Sequence, residues 1–266
     1  MTPTLRASIT GLGIVTDEFT HVRAFAQHLP SQINENALQK LIHAAVLDAS
    51  NVETYDTITQ LVLRASHQAL SMADLLDETG KAKDGEKMAL LFVSEWGTID
   101  ATVAYLESML DKEGRYASPR HFSRSVYSSV ASLAAIHFGI HGPCQTLCFP
   151  ESPISAALTA AARLLALQRA RQVLLVFAEQ SASIAAELSQ LAVQKLHQRK
   201  FSIYAQQPLG CGAVAFLLQG PEKSGITQLP LPLEAPPLPP KRNIRPFPMQ
   251  EALQWAEAVL TLPGHG

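Results

Sequence analysis

Residues 141–165 read HGPCQTLCFPESPISAALTAAARLL, and this stretch decides the fold. Gly142-Pro143 opens a short run, Cys144 to Phe149, of sulfur, β-branched and aromatic side chains that Pro150 closes, which is the pattern of a strand. Ser152 suits an N-cap, and Pro153 suits the first helical position, where its missing N–H would be unpaired in any case. Ala, Ile and Leu then run without a charge as far as Arg163, so a helix apolar on every side is expected, and such a helix is a buried one. A strand, a sharp turn and a buried helix is also how several enzymes hold a nucleophile, because free N–H groups at the helix start stabilise a thiolate or an oxyanion. Here the turn carries Glu151, a carboxylate.

Working outward, strand-like and helix-like segments alternate, the signature of an α/β fold with a sheet covered on both faces. Strands are expected at Ala7 to Val15, Lys87 to Ser94, Cys144 to Phe149, Gln172 to Ala178 and Ala213 to Gln219. Helices are expected at Glu35 to Leu47, Thr57 to Leu75, Ile99 to Leu110, Arg124 to Phe138, Pro153 to Arg169 and Ser183 to Leu196, where apolar residues recur every three or four positions or Ala and Leu dominate. After Gly220 the chain becomes proline-rich, too much so for either regular element to continue, and reads as extended. MQEALQWAEAVLTL, from Met249, then gives a short amphipathic helix. The organisation is therefore residues 1–220 as one α/β unit and 221–266 as an extended segment and helix lying on that unit or on a partner.

Composition narrows the function. The 266 residues are 47% hydrophobic, ample for a core, and the formal net charge of −2, from 21 basic and 23 acidic residues spread along the chain, leaves no footprint for nucleic acid. Cys144, Cys148 and Cys211 form an odd set without C-x-x-C spacing, which argues for a reducing cytoplasm rather than a disulfide framework or thiolate metal site. Cys144 and Cys148 read as small buried hydrophobes. No apolar run reaches the ~20 residues needed to cross a bilayer, and the N-terminus lacks the basic and apolar regions of a signal peptide, so membrane insertion is not expected. His137 and His141, four apart, would share a metal only on one continuous helix, and Gly139 between them reads as a helix C-cap, so no metal site is expected. Gly11 and Gly13 echo a phosphate loop but lack its third glycine. They read instead as sites of close backbone packing.

Three stretches, ITGLGIVT in the first strand, HGPCQTLCFPESPISAALTAAARLL in the middle and PLGCGAVAFLL in the last strand, together resemble the N-terminal half of β-ketoacyl synthases, the condensing enzymes of fatty-acid and polyketide synthesis. ASPRHFSRSVYSSVASLAAIHFGIHGP is similar to the family's lead-in to its nucleophile. Glu179 falls where the family often has an acidic residue after its fourth strand, whereas Cys211 stands where an acidic residue often sits between two glycines. The resemblance implies a thiolase-like fold, of which this sequence carries the N-terminal half: a five-stranded mixed sheet with helices on both faces, plus the proline-rich extension.

The family's chemistry uses a cysteine at the start of a buried helix in its first half and two histidines from its second. Counted from Gly142-Pro143, the cysteine position falls on Glu151, and neither histidine finds a counterpart here. A glutamate in that role would form a mixed anhydride in place of a thioester, with no base or oxyanion partner apparent. The resemblance thus implies a catalytically silent member of the kind called chain-length factors, which pair with an active ketosynthase, and truncated members of this kind resemble subunits of bacterial aryl polyene pathways. No cofactor is implied, and the acyl carrier protein enters indirectly. In the family the strand before the nucleophile pairs across a two-fold axis, which makes Cys144, Gln145, Thr146, Leu147, Cys148 and Phe149 the expected partner interface. The preceding helix reaches the partner's substrate tunnel, which makes Tyr127, Ser128 and Ser129, with Phe149, Pro150 and Glu151, the expected lining. Half a fold leaves a large apolar face to be covered, so the heterodimer interface is expected to exceed the ~1,600 Å² of a standard complex.

Three other readings of Glu151 stand beside this one. An acid beside a helix N-terminus is favourable by about 0.3–1 kcal/mol and needs no function. It could plug a vestigial pocket. It could also serve as acid or base in a decarboxylase or hydrolase acting on malonyl- or acyl-carrier protein, the alternative function.

Overall fold

The computed structural model describes residues 5–16, 47, 52–110, 117–148, 153–180, 211–220, 227–231, 252–253 and 255–256. The helices expected at Glu35 to Leu47 and Ser183 to Leu196 lie outside these residues, except for Leu47 itself. In chain order the elements are β1 (Leu5–Thr16), α1 (Thr57–Met72), β2 (Met88–Val93), α2 (Ile99–Leu110), α3 (Pro119–Ser125), α4 (Ser129–Phe138), β3 (Cys144–Leu147), α5 (Pro153–Ala166), β4 (Gln172–Glu179), β5 (Gly212–Gln219) and β6 (Thr227–Leu231).

The sheet has the order β3-β2-β4-β5-β1-β6. Strands β2, β3 and β4 are mutually parallel, while β5 runs antiparallel to β4 and β1. All five expected strands are present in one mixed sheet. The sixth, β6, pairs antiparallel with β1 inside the proline-rich segment, correcting the expectation that no regular element continues there. Pro230 sits opposite Arg6 in that pairing and is tolerated because an edge strand uses its N–H groups on one side only.

The three central strands β2, β4 and β5 are buried at every position, which is why their sequences are unbroken apolar runs. Strand alternation splits them into two layers. Ala89, Leu91, Val93, Val173, Leu175, Phe177, Val214, Phe216 and Leu218 face α5, whose Ile154, Ala157, Leu158 and Ala161 are buried against them. Ala252, Trp255 and Ala256 join this layer, with the Trp255 ring edge-on to Phe216 at 5.0 Å. Leu90, Phe92, Leu174, Val176, Ala215 and Leu217 face the other way, toward Leu63, Ala65 and Ala69 of α1 and Ala131, Ala134 and Phe138 of α4.

In β1 the inward positions are Ala7 and Ile9, then Leu12 and Ile14, an odd-to-even change produced by a bulge between Ile9 and Gly11. After the bulge Gly11 and Gly13 face α1. A β-carbon on either would run into the backbone carbonyl of Ala69 or Ala65, so their role is the close packing expected from the sequence. Helix α1 is anchored at both levels: Asp56 caps it by accepting the Thr59 N–H at 2.9 Å, and Gln68 accepts the Ile14 N–H at 2.8 Å.

Three sequence expectations need correction. The helix expected over Arg124 to Phe138 is two helices, α3 and α4, separated by an extended Val126 (φ −72°, ψ 127°). Hydroxyls capture the carbonyls at the end of α3: Ser129 Oγ donates to Arg124 O, and Thr98 and Thr102 Oγ1 both donate to Ser125 O. Cys144 and Cys148 are exposed rather than buried, because β3 is the outermost strand of the sheet. Helix α5 is buried along one side only, with Ser155, Ala156, Thr159, Ala160 and Leu164 half-buried. Its start at Pro153 and the left-handed Gly139 cap of α4 (φ 64°) are as expected, so His137 and His141 do not share a helix.

Candidate functional site

Parallel strands put their carboxyl ends on one side of a sheet, and the crevice beyond those ends is where open α/β folds hold ligands. In this chain the ends of β2, β4 and β3 deliver Ser94, Glu179 and Cys148 to that side. Glu179 is only 2% exposed, yet it is well supplied with donors. Its Oε1 accepts the Glu95 N–H at 2.5 Å, and its Oε2 accepts the Ser94 hydroxyl at 3.1 Å and the Trp96 N–H at 3.4 Å. One buried carboxylate on β4 thereby organises the whole turn that leads from β2 to α2.

Ser94 Oγ in turn accepts the Gly97 N–H at 2.7 Å. Gly97 has φ 53°, a left-handed conformation, and a β-carbon there would strike the ring of Tyr127. Tyr127 is thus seated against the turn that Glu179 holds. Its carbonyl accepts the Thr146 hydroxyl at 3.3 Å, tying the α3–α4 connection to β3. A chain of contacts therefore runs from β4 through the β2–α2 turn and Tyr127 to the outer strand.

The electrostatics follow from this shared ground. Burial raises the Glu179 carboxyl to about 7, against the hydrogen bonds from Glu95, Ser94 and Trp96 that favour its charge, while the charge of Glu95 adds to the rise. Partial desolvation at the strand end pushes the exposed Cys148 thiol up and Glu179 pushes it further. The Tyr127 phenol moves the same way, through burial first and then through Cys148 and Glu179. A cysteine nucleophile is favoured by the opposite shift, a thiol lowered by a cation or a helix start.

Of the residues expected to line a tunnel, Tyr127 and Ser128 are exposed and Ser129 is half-buried with its hydroxyl committed to Arg124 O. The structure brings Tyr127 to Cys148 and Glu179 through the contacts above. Phe149, Pro150 and Glu151 lie outside the described residues. Of the expected interface, Cys144, Gln145 and Cys148 are exposed, and Thr146 and Leu147 are half-buried.

Among the described residues one main-chain side of β3 has no strand partner. Pro143 and Leu147 accept from Leu90 and Ser94 of β2, so alternation turns the N–H and C=O groups of Cys144, Thr146 and Cys148 away from the sheet. Beside this edge lie exposed apolar side chains, Val126 and Tyr127, with Phe122, Leu106 and Leu110 beyond them on α3 and α2.

Ser94 and Gly97 escape a sequence reading, although SEWGT after an apolar run is a turn signal. Gln180 is a third such residue. Its amide donates to Asp100 Oδ2 at 2.8 Å, beside a cavity of about 300 Å³ that His121 and Arg124 also line.

The sheet is mixed, its parallel strands β2, β3 and β4 end at the turn that the buried Glu179 holds, and α5 follows β3 in the chain. The chain belongs to the β-ketoacyl synthase family: the family described as Beta-ketoacyl synthase, N-terminal domain, matches residues 62–195, half of the chain. Solved structures share the fold at low identity. The ishigamide ketosynthase/chain length factor superposes with a TM-score of 0.59 at 19% identity, over 81% of this chain and 62% of that one. AntDE:AntF, a type II polyketide acyl-carrier protein in complex with its ketosynthase bound to the hexaketide, gives 0.57 at 16% identity over 82% and 59%. The ketosynthase ApeO in complex with its chain length factor ApeC, from Xenorhabdus doucetiae, gives 0.55 at 16% identity over 81% and 79%. The chain thus spans about six tenths of the length of the first two. Among curated proteins none matches its sequence.

Proposed function

We propose that this chain is a catalytically silent, chain-length-factor-like subunit. It pairs in the cytoplasm with an active ketosynthase and helps to shape the tunnel in which a polyene acyl chain, held on a carrier protein, is elongated. The observation that carries this reading is the open outer edge of β3, with exposed apolar residues beside it. An uncapped strand edge next to an apolar surface is a ready surface for strand addition from another chain. The ketosynthase and chain-length-factor complexes that share the fold support a partner of that class. The carboxylate at position 151 supports silence, and the upward shift of Cys148 agrees with it. Residues 221–266 are read as an accessory segment of the same subunit, of which β6, Ala252, Trp255 and Ala256 pack on the domain.

The test is co-expression with a ketosynthase subunit, followed by light scattering on the purified material. The account expects a stable complex with equal numbers of the two chains. Thr146→Pro removes one outward N–H without touching the bonds to β2 and is expected to abolish the complex, while Thr146→Val, which keeps that N–H, preserves it. A wild-type chain that stays apart from the ketosynthase, or a Thr146→Pro chain that still binds it, would overturn the reading.

A further inference from the structure

The opposite end of the sheet carries a feature that the partner reading does not use. Strands β2 and β4 begin side by side there, and the Arg171 N–H donates to the Lys87 carbonyl at 2.7 Å, which sets Lys87 and Arg171 next to each other. Arg169 stands two residues before. All three side chains are exposed. Among the described residues the ion pair present is Lys83 with Asp74, so none of these three cations is paired with a described carboxylate. They wall a cleft of about 660 Å³ whose one acidic lining residue among the described residues is Asp84.

The inner wall of the cleft is polar as well. Gln172 and Gln219 face each other across the β4–β5 pair and are 5% and 4% exposed. The side-chain oxygen of each is buried without a hydrogen-bond partner. Three like charges gathered at one rim repel each other, and an anion with several acceptor oxygens relieves that repulsion, most effectively through guanidinium groups. Buried amide oxygens cannot receive an anion. They call for donors, and hydroxyl or amide N–H groups supply them. The volume lies within the range of small-molecule clefts and is far larger than a bare phosphate needs.

We propose that this cleft binds a phosphate monoester carrying hydroxyl or amide donors. The phosphate sits among Lys87, Arg169 and Arg171, and the donor-bearing portion reaches Gln172 and Gln219. The site lies at the other end of the strands from Glu179 and needs no partner subunit, so its failure and the failure of the heterodimer reading are separate results.

Isothermal titration calorimetry of the full chain with ribose 5-phosphate, inorganic phosphate and ribose tests it. Ribose 5-phosphate is expected to bind more tightly than inorganic phosphate, and ribose not to bind. Arg171→Glu weakens both phosphate ligands by about tenfold or more, and Arg169→Gln, a milder change at an exposed position, weakens them in the same direction. Gln219→Met removes the advantage of ribose 5-phosphate over phosphate, and Lys83→Ala, outside the cleft, changes nothing. Absence of heat up to about 10 mM of either phosphate ligand would overturn the proposal. So would binding indifferent to both arginine variants. Equal affinity for phosphate and ribose 5-phosphate would overturn the ligand class.

Discussion

Glu179 gives the account its sharpest stability prediction. Its carboxyl stands at about 7 in the folded chain against 4.5 when free, so between those pH values the folded state holds a proton that the unfolded state has released. Stability attached to this group is therefore fully present below pH 4.5, falls as pH rises toward 7 and levels off above it. Between pH 5 and pH 8 the loss amounts to roughly 2–3 kcal/mol, given 1.36 kcal/mol for each pKa unit. Glu179→Gln removes the titration but retains the shape and one good acceptor for the turn. Other groups titrate in both proteins, so the informative quantity is the difference between the two pH profiles. Urea unfolding followed by tryptophan fluorescence at pH 5 and pH 8 measures it, since Trp96 lies in the turn itself. The wild type is expected to lose roughly 2–3 kcal/mol relative to the variant between the two pH values. Parallel profiles, or a wild type that gains on the variant as pH rises, would refute the electrostatic argument for the site.

The packing predictions are simpler. Gly13→Ala drives a methyl group into the Ala65 carbonyl and separates α1 from β1, so destabilisation by about 1–3 kcal/mol is expected in the same unfolding assay. Phe216→Ala empties a fully buried site between Phe177 and Trp255 and should cost about 3–5 kcal/mol, with faster proteolysis near residues 252–256 as a second readout.

Much of this fold was legible because its information is local. The apolar runs of β2, β4 and β5 announced a sheet covered on both sides, and α2 begins where its periodicity says, at Ile99. Helix α1 stops at Met72, short of the expected Leu75, as the chain turns through Asp74 in a left-handed conformation. What escaped depends on contacts between distant residues. The break at Val126 arises because Thr98 and Thr102, over 20 residues away in sequence, take the Ser125 carbonyl. The exposure of Cys144 and Cys148 follows from the outer place of β3, which no local pattern encodes. The proline-rich segment reads as extended without a regular element because proline removes ladder N–H groups, a cost that an edge strand such as β6 escapes.

The candidate site divides the same way. The resemblance picked out Glu179 and Tyr127 separately. Their meeting, through Ser94 and Gly97, joins residues more than 50 positions apart and follows from the order of the strands.

The most direct test of the central claim is a condensation assay with malonyl-loaded carrier protein on the ketosynthase complex, with either chain omitted and with Glu151→Ala. The account predicts product only when both chains are present, at a rate unchanged by Glu151→Ala. Turnover or malonyl decarboxylation by this chain alone, abolished by Glu151→Gln, would contradict it and establish the subunit as an enzyme in its own right.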